Sequence, residues 1–506
     1  MHASVQTFAV QGINSYPVTV EVDIPGNGLH AFSVVGLPDR AVREARERVK
    51  AALANSGFVF PKGRITVNLA PASIHKAGPA FDLAVAVGLL AANSEIPPGS
   101  THGYAFCGEV SLTGALRDIR GALAIALGAR QCGVERLVLP PGCAPEAALV
   151  EGVDALPVPD LAHLVAFFRG EWSPEPAEAA EPTNEPDEWA LDLADVRGQA
   201  DAKRALEIAA AGGHNVLMIG PPGAGKTMLA RRVPGLLPPP DFEESIEITQ
   251  IQSVVGMNKG RLVRQRPFRA PHHTISPSGL VGGGSVPRPG EITLAHHGVL
   301  FMDELPEFAR NALEALRQPL EDGQVWVTRG QRSLRFPSDF MLVAAANECP
   351  CARPDGNCRC SEIDRLRYAR RLSGPLLDRI DLVCHVPPAA PLELVGPGSR
   401  CEDSAAVRER VIAARERQAQ RLVLERVTCN GSMDGRLTRK HVSPGPDARD
   451  LLLDGHRRLS LTARGHDRVL RIARTIADLA GSDEILTVHV AEALGYRVGA
   501  ATGLAA

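Results

Sequence analysis

The sequence predicts a multidomain α/β protein. It has an α+β N-terminal domain over residues 1–170, a central α/β domain with a parallel sheet over 191–390, and an all-α C-terminal domain over 391–506. Three observations carry that reading. A Pro-rich acidic stretch at 171–190 cannot bury a core and reads as a self-repelling linker. After it come short apolar runs separated by helical or irregular segments, the pattern of a parallel sheet covered by helices. Beyond residue 404 the pattern turns helical and rich in Arg, Ala and Leu.

The elements follow in order. Val18, Val20, Val22 and Ile24 alternate as a half-buried strand would, and Gly26-Asn27-Gly28 then turns the chain. Residues 39–57 predict an amphipathic helix capped by Asp39, with Val42, Ala45, Val49 and Leu53 as its apolar stripe. Arg64–Ala70 predicts a strand and Phe81–Ala92 an apolar helix. Past the linker, Lys203–Ala211 predicts a helix, Asn215–Ile219 a buried strand, and a second helix starts at Lys226. Gly298–Met302 and Phe340–Ala345 predict further buried strands, and 404–425 and 446–498 predict helices. No fixed-period repeat is present.

Composition bounds the function. The hydrophobic and charged fractions, 44% and 22%, are those of an ordinary soluble protein. Aromatics are scarce at 4%, so the cores must rest on Ala, Val, Leu and Ile. The N-terminus MHASVQTFAV lacks the basic and apolar regions of a signal peptide. No run approaches the roughly 18 apolar residues of a membrane helix. A cytoplasmic protein is expected, in which the ten Cys are thiols or metal ligands before they are disulfides. Residues 171–188 hold seven carboxylates and no Lys or Arg in a chain of net charge −3, so the remainder is modestly basic. That permits a nucleic-acid partner without requiring one.

Gly220-Pro221-Pro222-Gly223-Ala224-Gly225-Lys226-Thr227 fits the P-loop pattern. Its glycines let backbone N–H groups converge on phosphates, and the following helix turns its positive end toward them. Lys226 reaches the β- and γ-phosphates of ATP, and the Thr227 hydroxyl is a ligand for Mg²⁺. The scarcity of Lys makes a chance match in a Gly-rich loop rare. Downstream, Val299–Met302 is an apolar strand ending in Asp303 and Glu304. Asp303 holds Mg²⁺, and Glu304 orients and deprotonates the attacking water. Asn347 ends the next buried strand, where an amide can position that water or simply make a turn.

Five long stretches resemble one family: DVRGQADAKRALEIAAAGGHN, RPFRAPHHTISPSGLVGGG, PGEITLAHHGVLFMDELPEF, LSGPLLDRIDL and RIARTIADLAG. Residues 192–498 resemble an AAA+ ATPase of the magnesium-chelatase-like branch, and the whole chain resembles the YifB/ComM family. The resemblance implies Asn347 as sensor 1, Arg379 as an arginine finger acting from a neighbouring subunit, and Arg464 as sensor 2. It implies a ring, a hexamer by family analogy. A guanidinium supplied by a neighbour suits the charge that spreads over the γ-phosphoryl oxygens. From the residues alone, an ion pair of Arg379 with Asp378 or Asp381 is an equal alternative.

The partner is expected to be DNA. Lys259, Arg261, Arg264, Arg266 and Arg269 form one basic run without an acid, and Arg329, Arg332 and Arg335 form another that alternates like a hairpin strand. The resemblance places both in inserts that face the pore of related ring motors, where basic hairpins track a phosphate backbone. The alternative is a solvated basic face. The family points to branch migration in recombination of incoming DNA. The alternatives are a chelatase-type motor inserting metal into a tetrapyrrole and a nucleotide-switched scaffold.

Cys349, Cys351, Cys358 and Cys360 place four thiols within twelve residues. Four thiolates can close a tetrahedral Zn²⁺ shell, although C-x-C is tighter than the usual spacing. A loop of free or redox-active thiols is the alternative. His272-His273 and His296-His297 have no carboxylate or Cys at ligand spacing beside them, so both pairs read as structural. Finally, Lys76–Asp82 and Gly108–Gly114 resemble the Lon-protease-like, ribosomal S5-type domain. Ala80 stands where the nucleophilic Ser would be, the Lys position falls near Leu123, and 111–130 contains no Lys. A Ser–Lys mechanism needs both groups, so no peptidase activity is expected.

Overall fold

The alternation Val18, Val20, Val22 does what it predicts. All three are fully buried on one face of the strand Asn14–Asp23, which pairs antiparallel with His2–Gln11 in the register Val5 to Val20. This is a computed structural model, and it describes all residues except 26–30, 181–190, 259, 285–286, 330–331, 352, 354–357, 373, 389–401, 426 and 504–506. The expected turn at Gly26-Asn27-Gly28 therefore lies outside the described residues. The N-terminal sheet has seven strands, in the order 31–35, 64–70, 14–23, 2–11, 104–106, 136–139, 154–157. The helix Arg40–Asn55 is capped as expected, with the Asp39 carboxylate accepting from Val42 N at 2.8 Å. The apolar helix Asp82–Ala92 is buried nearly all round. Gly88 lets it touch the sheet, since a Cβ there would stand 2.6 Å from a Val22 methyl. The first half of the acidic stretch stays with this domain: Ala177 N bonds Ala155 O, and Trp172 packs edge-on against His163.

The central sheet has five strands, all parallel, in the order Phe268–Arg269, Val299–Met302, Met341–Ala346, Val216–Ile219, Leu382–His385. Its strands are apolar throughout because both faces are covered. Val216, Met218, Val299, Phe301, Val343 and Ala345 face one core, and Leu217, Ile219, Leu300, Met302, Leu342 and Ala344 face the other.

The C-terminal helices Ser404–Arg421, Pro446–Leu459, Ala463–Leu479 and Thr487–Gly503 confirm the helical pattern. They do not enclose a core of their own. One apolar cluster runs from Leu193 through the first sheet face to Leu494. Gln418 Nε2 donates to Ala211 O at 3.0 Å, and Arg204 pairs with Glu492, so this segment is fastened to the helix Ala200–Gly212.

The N-terminal domain meets the central one through a turn and a hairpin. Ile13 joins the second sheet core, and Gln250 Nε2 donates to its carbonyl at 2.6 Å. The hairpin Gln324–Arg329 and Arg332–Pro337 buries Val325, Val327 and Phe336 in the same core. No described helix is long and apolar enough to cross a membrane.

Candidate nucleotide site and a second cluster of arginines

Strand Val216–Ile219 delivers the P-loop at its C-terminal end. Gly220 must be Gly, because a Cβ would lie 2.1 Å from Val386 O. Gly223 and Gly225 take φ +77° and +93°, which folds the loop back so that the helix Lys226–Ala230 begins at its mouth. Lys226 is buried. Its Nζ donates to Gly220 O at 2.6 Å, Pro221 O at 2.8 Å and Asn347 Oδ1 at 3.1 Å. Burial lowers its pKa, against the opposing pull of Asp303, Glu348 and Glu304.

The next residue, Thr227, donates to Asp303 Oδ2 at 2.7 Å, which joins the P-loop helix to the end of strand Val299–Met302. The other oxygen of Asp303 accepts from Glu304 N at 3.0 Å. Glu304 itself sits at φ +53°, a left-handed conformation that costs a non-Gly residue free energy and here turns its side chain at the strand end. Its carboxylate lies 3.5 Å from His273 Nδ1, and the His272 and His273 rings lie tilted against each other with centroids 4.1 Å apart. His273, structural by its sequence context, thus meets Glu304. The signal that it meets Glu304 was the neighbouring strand Phe268–Arg269, two residues long and illegible as a strand.

Lys226, Thr227, Asp303, Glu304 and Asn347 thus gather at the C-terminal ends of three adjacent strands. Thr227 and Asp303 offer hard oxygen donors side by side, a set that fits Mg²⁺.

Arg379 and Arg464 do not join them. Asn215 ties together the N-terminal ends of the strands: its Oδ1 accepts from Leu342 N at 2.8 Å, its Nδ2 donates to Arg379 O at 3.0 Å, and its carbonyl accepts from Asp381 N at 2.9 Å. Arg379 is therefore separated from the P-loop by the length of strand Val216–Ile219, about 13 Å at ~3.3 Å per residue. Neither Asp378 nor Asp381 is its ion-pair partner. Arg379 pairs with Glu321, and Arg464 approaches the same carboxylate oxygen at 3.7 Å.

Asp381 serves another network. It accepts from Asn215 N, pairs with Arg468 at 3.1 Å, and lies 3.6 Å from His214. Burial pushes its pKa up, but His214, Arg471 and Arg468 outweigh that and hold it below the usual carboxylate range. Burial lowers the pKa of His214, against the opposing pull of Asp381.

The first basic run is only partly free. Arg266 donates to Pro238 O at 2.5 Å, His297 O at 2.7 Å and Glu244 at 2.8 Å, and Arg269 forms a two-bond pair with Glu291 at 2.6 and 2.9 Å. These two guanidinium groups, expected to face DNA, are paired within the molecule. Arg264 is exposed, while Lys259 lies outside the described residues. On the hairpin, Arg335 is exposed directly across from the exposed Trp326. The side chains of Arg329 and Arg332 lie outside what is described.

The four cysteines of the loop after Asn347 converge. Sulfur separations are 3.2 Å for Cys349–Cys351, 3.5 Å for Cys349–Cys358 and 3.8 Å for Cys351–Cys358, and all four Sγ atoms lie within 4.8 Å of one another. A tetrahedral ion with bonds of ~2.3 Å puts its sulfurs ~3.8 Å apart, so the donor set fits Zn²⁺.

The other histidine pair does have a carboxylate, contrary to expectation. Glu247, from the helix Phe242–Val255, meets Nε2 of His296 at 2.9 Å and of His297 at 2.8 Å. Nδ1 of His296 accepts from Asp339 N at 3.0 Å, so its Nε2 carries the proton and donates to Glu247. That assigns the trio to hydrogen bonding rather than to a metal.

In the N-terminal domain, Leu123 is fully buried and Ala80 stands at the position of the absent nucleophile. Lys76 is also fully buried and donates to Pro71 O rather than to a hydroxyl.

Comparison with known proteins shows which family the chain resembles. Residues 192–394 match the family model described as magnesium chelatase, subunit ChlI. Residues 20–142 match that of subunit ChlI of Mg-chelatase, and 401–497 that of the ChlI C-terminal region. YifB of Salmonella typhimurium is 44% identical, covering 98% of this chain and 97% of its own length. Competence protein ComM of Haemophilus influenzae is 43% identical, covering 98% and 97%. Lon protease 2 of Bacillus subtilis is 28% identical over 33% of this chain and 35% of its own.

Proposed function

This chain belongs to the YifB/ComM family of magnesium-chelatase-like proteins, and on that premise we propose that it hydrolyses ATP between the subunits of a ring. One observation carries the reading. The residues suited to phosphate, metal and water sit at one end of the central sheet, while Arg379 and Arg464 sit at the other. An arginine about a strand's length from its own P-loop serves the γ-phosphate of a neighbour.

Within one subunit, Lys226 leaves its loop carbonyls for the β- and γ-phosphates. Asn347, bonded to Lys226 before nucleotide enters, is freed to orient the water. Glu304 takes that water's proton. Thr227 and Asp303 would hold Mg²⁺, which supplies charge neutralisation at the phosphates. From the adjoining subunit, Arg379 and Arg464 stabilise the charge that builds in the transition state. The four cysteines would hold Zn²⁺, which would pin the loop that leaves Asn347.

The ring, a hexamer by family analogy, works in the cytoplasm on DNA. The exposed face of hairpin 324–337, with Trp326 beside Arg335, favours DNA over the tetrapyrrole alternative, because an aromatic and a guanidinium together stack bases and bind phosphate. Branch migration of incoming DNA is the activity that this reading and the competence name of the Haemophilus relative jointly suggest.

The test is mixed assembly. Arg379→Ala and Glu304→Gln should each be inactive alone. Mixed, they should recover turnover, because Glu304→Gln subunits lend Arg379 to intact neighbouring sites. A mixture as inactive as its parts would refute catalysis between subunits.

A further inference from the structure

Arg379 and Arg464 are not held open for a neighbour. Both bear on Oε1 of one carboxylate, Glu321, which closes the short helix Arg317–Asp322. The Arg379 guanidinium beside it outweighs its partial desolvation and, with Arg464 and Arg468, holds the Glu321 carboxyl below its ordinary range.

These groups line a cavity of about 730 Å³, walled on one side by the helix Ala463–Leu479. Three donors of the lining residues lack a hydrogen-bond partner among the described residues: Nε of Arg379, Nε of Arg471, and Nη1 of Arg468, a side chain only 8% exposed. A buried N–H left unpaired is costly, so an anion able to accept from it is favoured. Glu321 brings one charge and two oxygens. A terminal phosphate brings more charge and three acceptor oxygens, a better match for converging guanidinium groups.

We propose that Glu321 is an internal stand-in for the terminal phosphate of the neighbouring subunit's ATP. It holds Arg379 and Arg464 in the free subunit and yields them when that phosphate enters the cavity. Arg468 is then a third guanidinium facing the phosphate. Glu321 is a positioning residue that acts through the two arginines, and it competes for them with the phosphate next door. This rests on the reading that Arg379 acts on the neighbour's nucleotide.

The experiment uses Glu304→Gln chains, which bind Mg-ATP without turning it over, and measures the protein concentration for half-assembly by mass photometry. Adding Glu321→Gln keeps the side-chain shape and removes the competing charge. It should lower the half-assembly concentration in Mg-ATP by about two- to fivefold, the equilibrium worth of a partly exposed ion pair. Glu321→Asp should stay near the parent. Without nucleotide or with ADP, Glu321→Gln should produce no shift, because no terminal phosphate competes. An unchanged or higher half-assembly concentration in ATP, or an equal shift with ADP, overturns the proposal. Recovery in the mixed assembly described above, together with an unshifted half-assembly point, removes Glu321 alone. Failure of that recovery removes the reading on which it rests.

Discussion

Lys226 is poised before any nucleotide arrives. Three oxygens hold its ammonium, and one of them belongs to Asn347 on a different strand. Phosphates that enter exchange neutral carbonyl partners for charged ones, which roughly doubles the strength of each bond. Removing the ammonium from so buried a place leaves phosphate charge uncompensated, a loss of about 3 kcal/mol or more. Lys226→Ala should therefore weaken Mg-ATP binding about a hundredfold or more, as titration calorimetry would read. Binding within a few-fold of the parent would remove Lys226 from the phosphate site. These residues were legible because the chemistry is local: P-loop and acidic strand end each occupy one short stretch of chain. Glu321 was not, since nothing near it in the chain says that it meets Arg379. His273 and Glu247 were missed for the same reason: each contact is made between elements whose adjacency only the sheet order reveals.

The short buried strands that carry the P-loop, Asp303 and Asn347, and the helix Ala200–Gly212, could be read from apolar runs and periodicity. What could not be read was how they share surfaces. The helices after residue 404 looked like a domain of their own, yet they complete the core of one sheet face. The two-residue strand Phe268–Arg269 is legible only as part of a basic run, because two residues give no period, and so the pair of Arg269 with Glu291 is not readable from the sequence. The cysteine loop was legible in the opposite sense, since its spacing already joined its four sulfurs. That loop leaves the strand Met341–Ala346 at Asn347 and enters the helix Glu362–Ala369, so fixing it fixes both elements. Purified chain should contain one zinc by elemental analysis. A Cys351→Ser, Cys358→Ser double variant should lose it and turn over ATP about tenfold more slowly, while still binding nucleotide. The loss resembles that of a supporting residue, where ~10- to 100-fold effects are usual. Metal-free parent chain with full activity would refute the zinc site.

Under the proposed function, the charges left to face a substrate decide how the whole molecule would bind it. Arg266 and Arg269 are held by Glu244 and Glu291, and the hairpin turns its apolar face to the core beside Ile13. Exposed Arg264 and the Trp326–Arg335 pair remain for a nucleic acid. A protein that neutralises phosphates releases counterions, and each contact to a single strand adds ~0.7 to the slope of log affinity against log salt. Single-stranded DNA should therefore stimulate turnover, with an apparent affinity that falls steeply as salt rises. Arg335→Ala should make that slope shallower by ~0.7 for every subunit that touches the strand. Trp326→Ala should weaken binding by ~1–3 kcal/mol per stacked base and leave the slope unchanged, because stacking releases no ions. Arg269→Ala should behave in a third way: it leaves Glu291 unpaired, so thermal stability falls while the slope stays at the parent value. Equal slopes for the parent and Arg335→Ala would mean that the hairpin does not track a phosphate backbone. A slope change in Arg269→Ala would mean that its pair with Glu291 opens in the ring and returns that charge to the substrate.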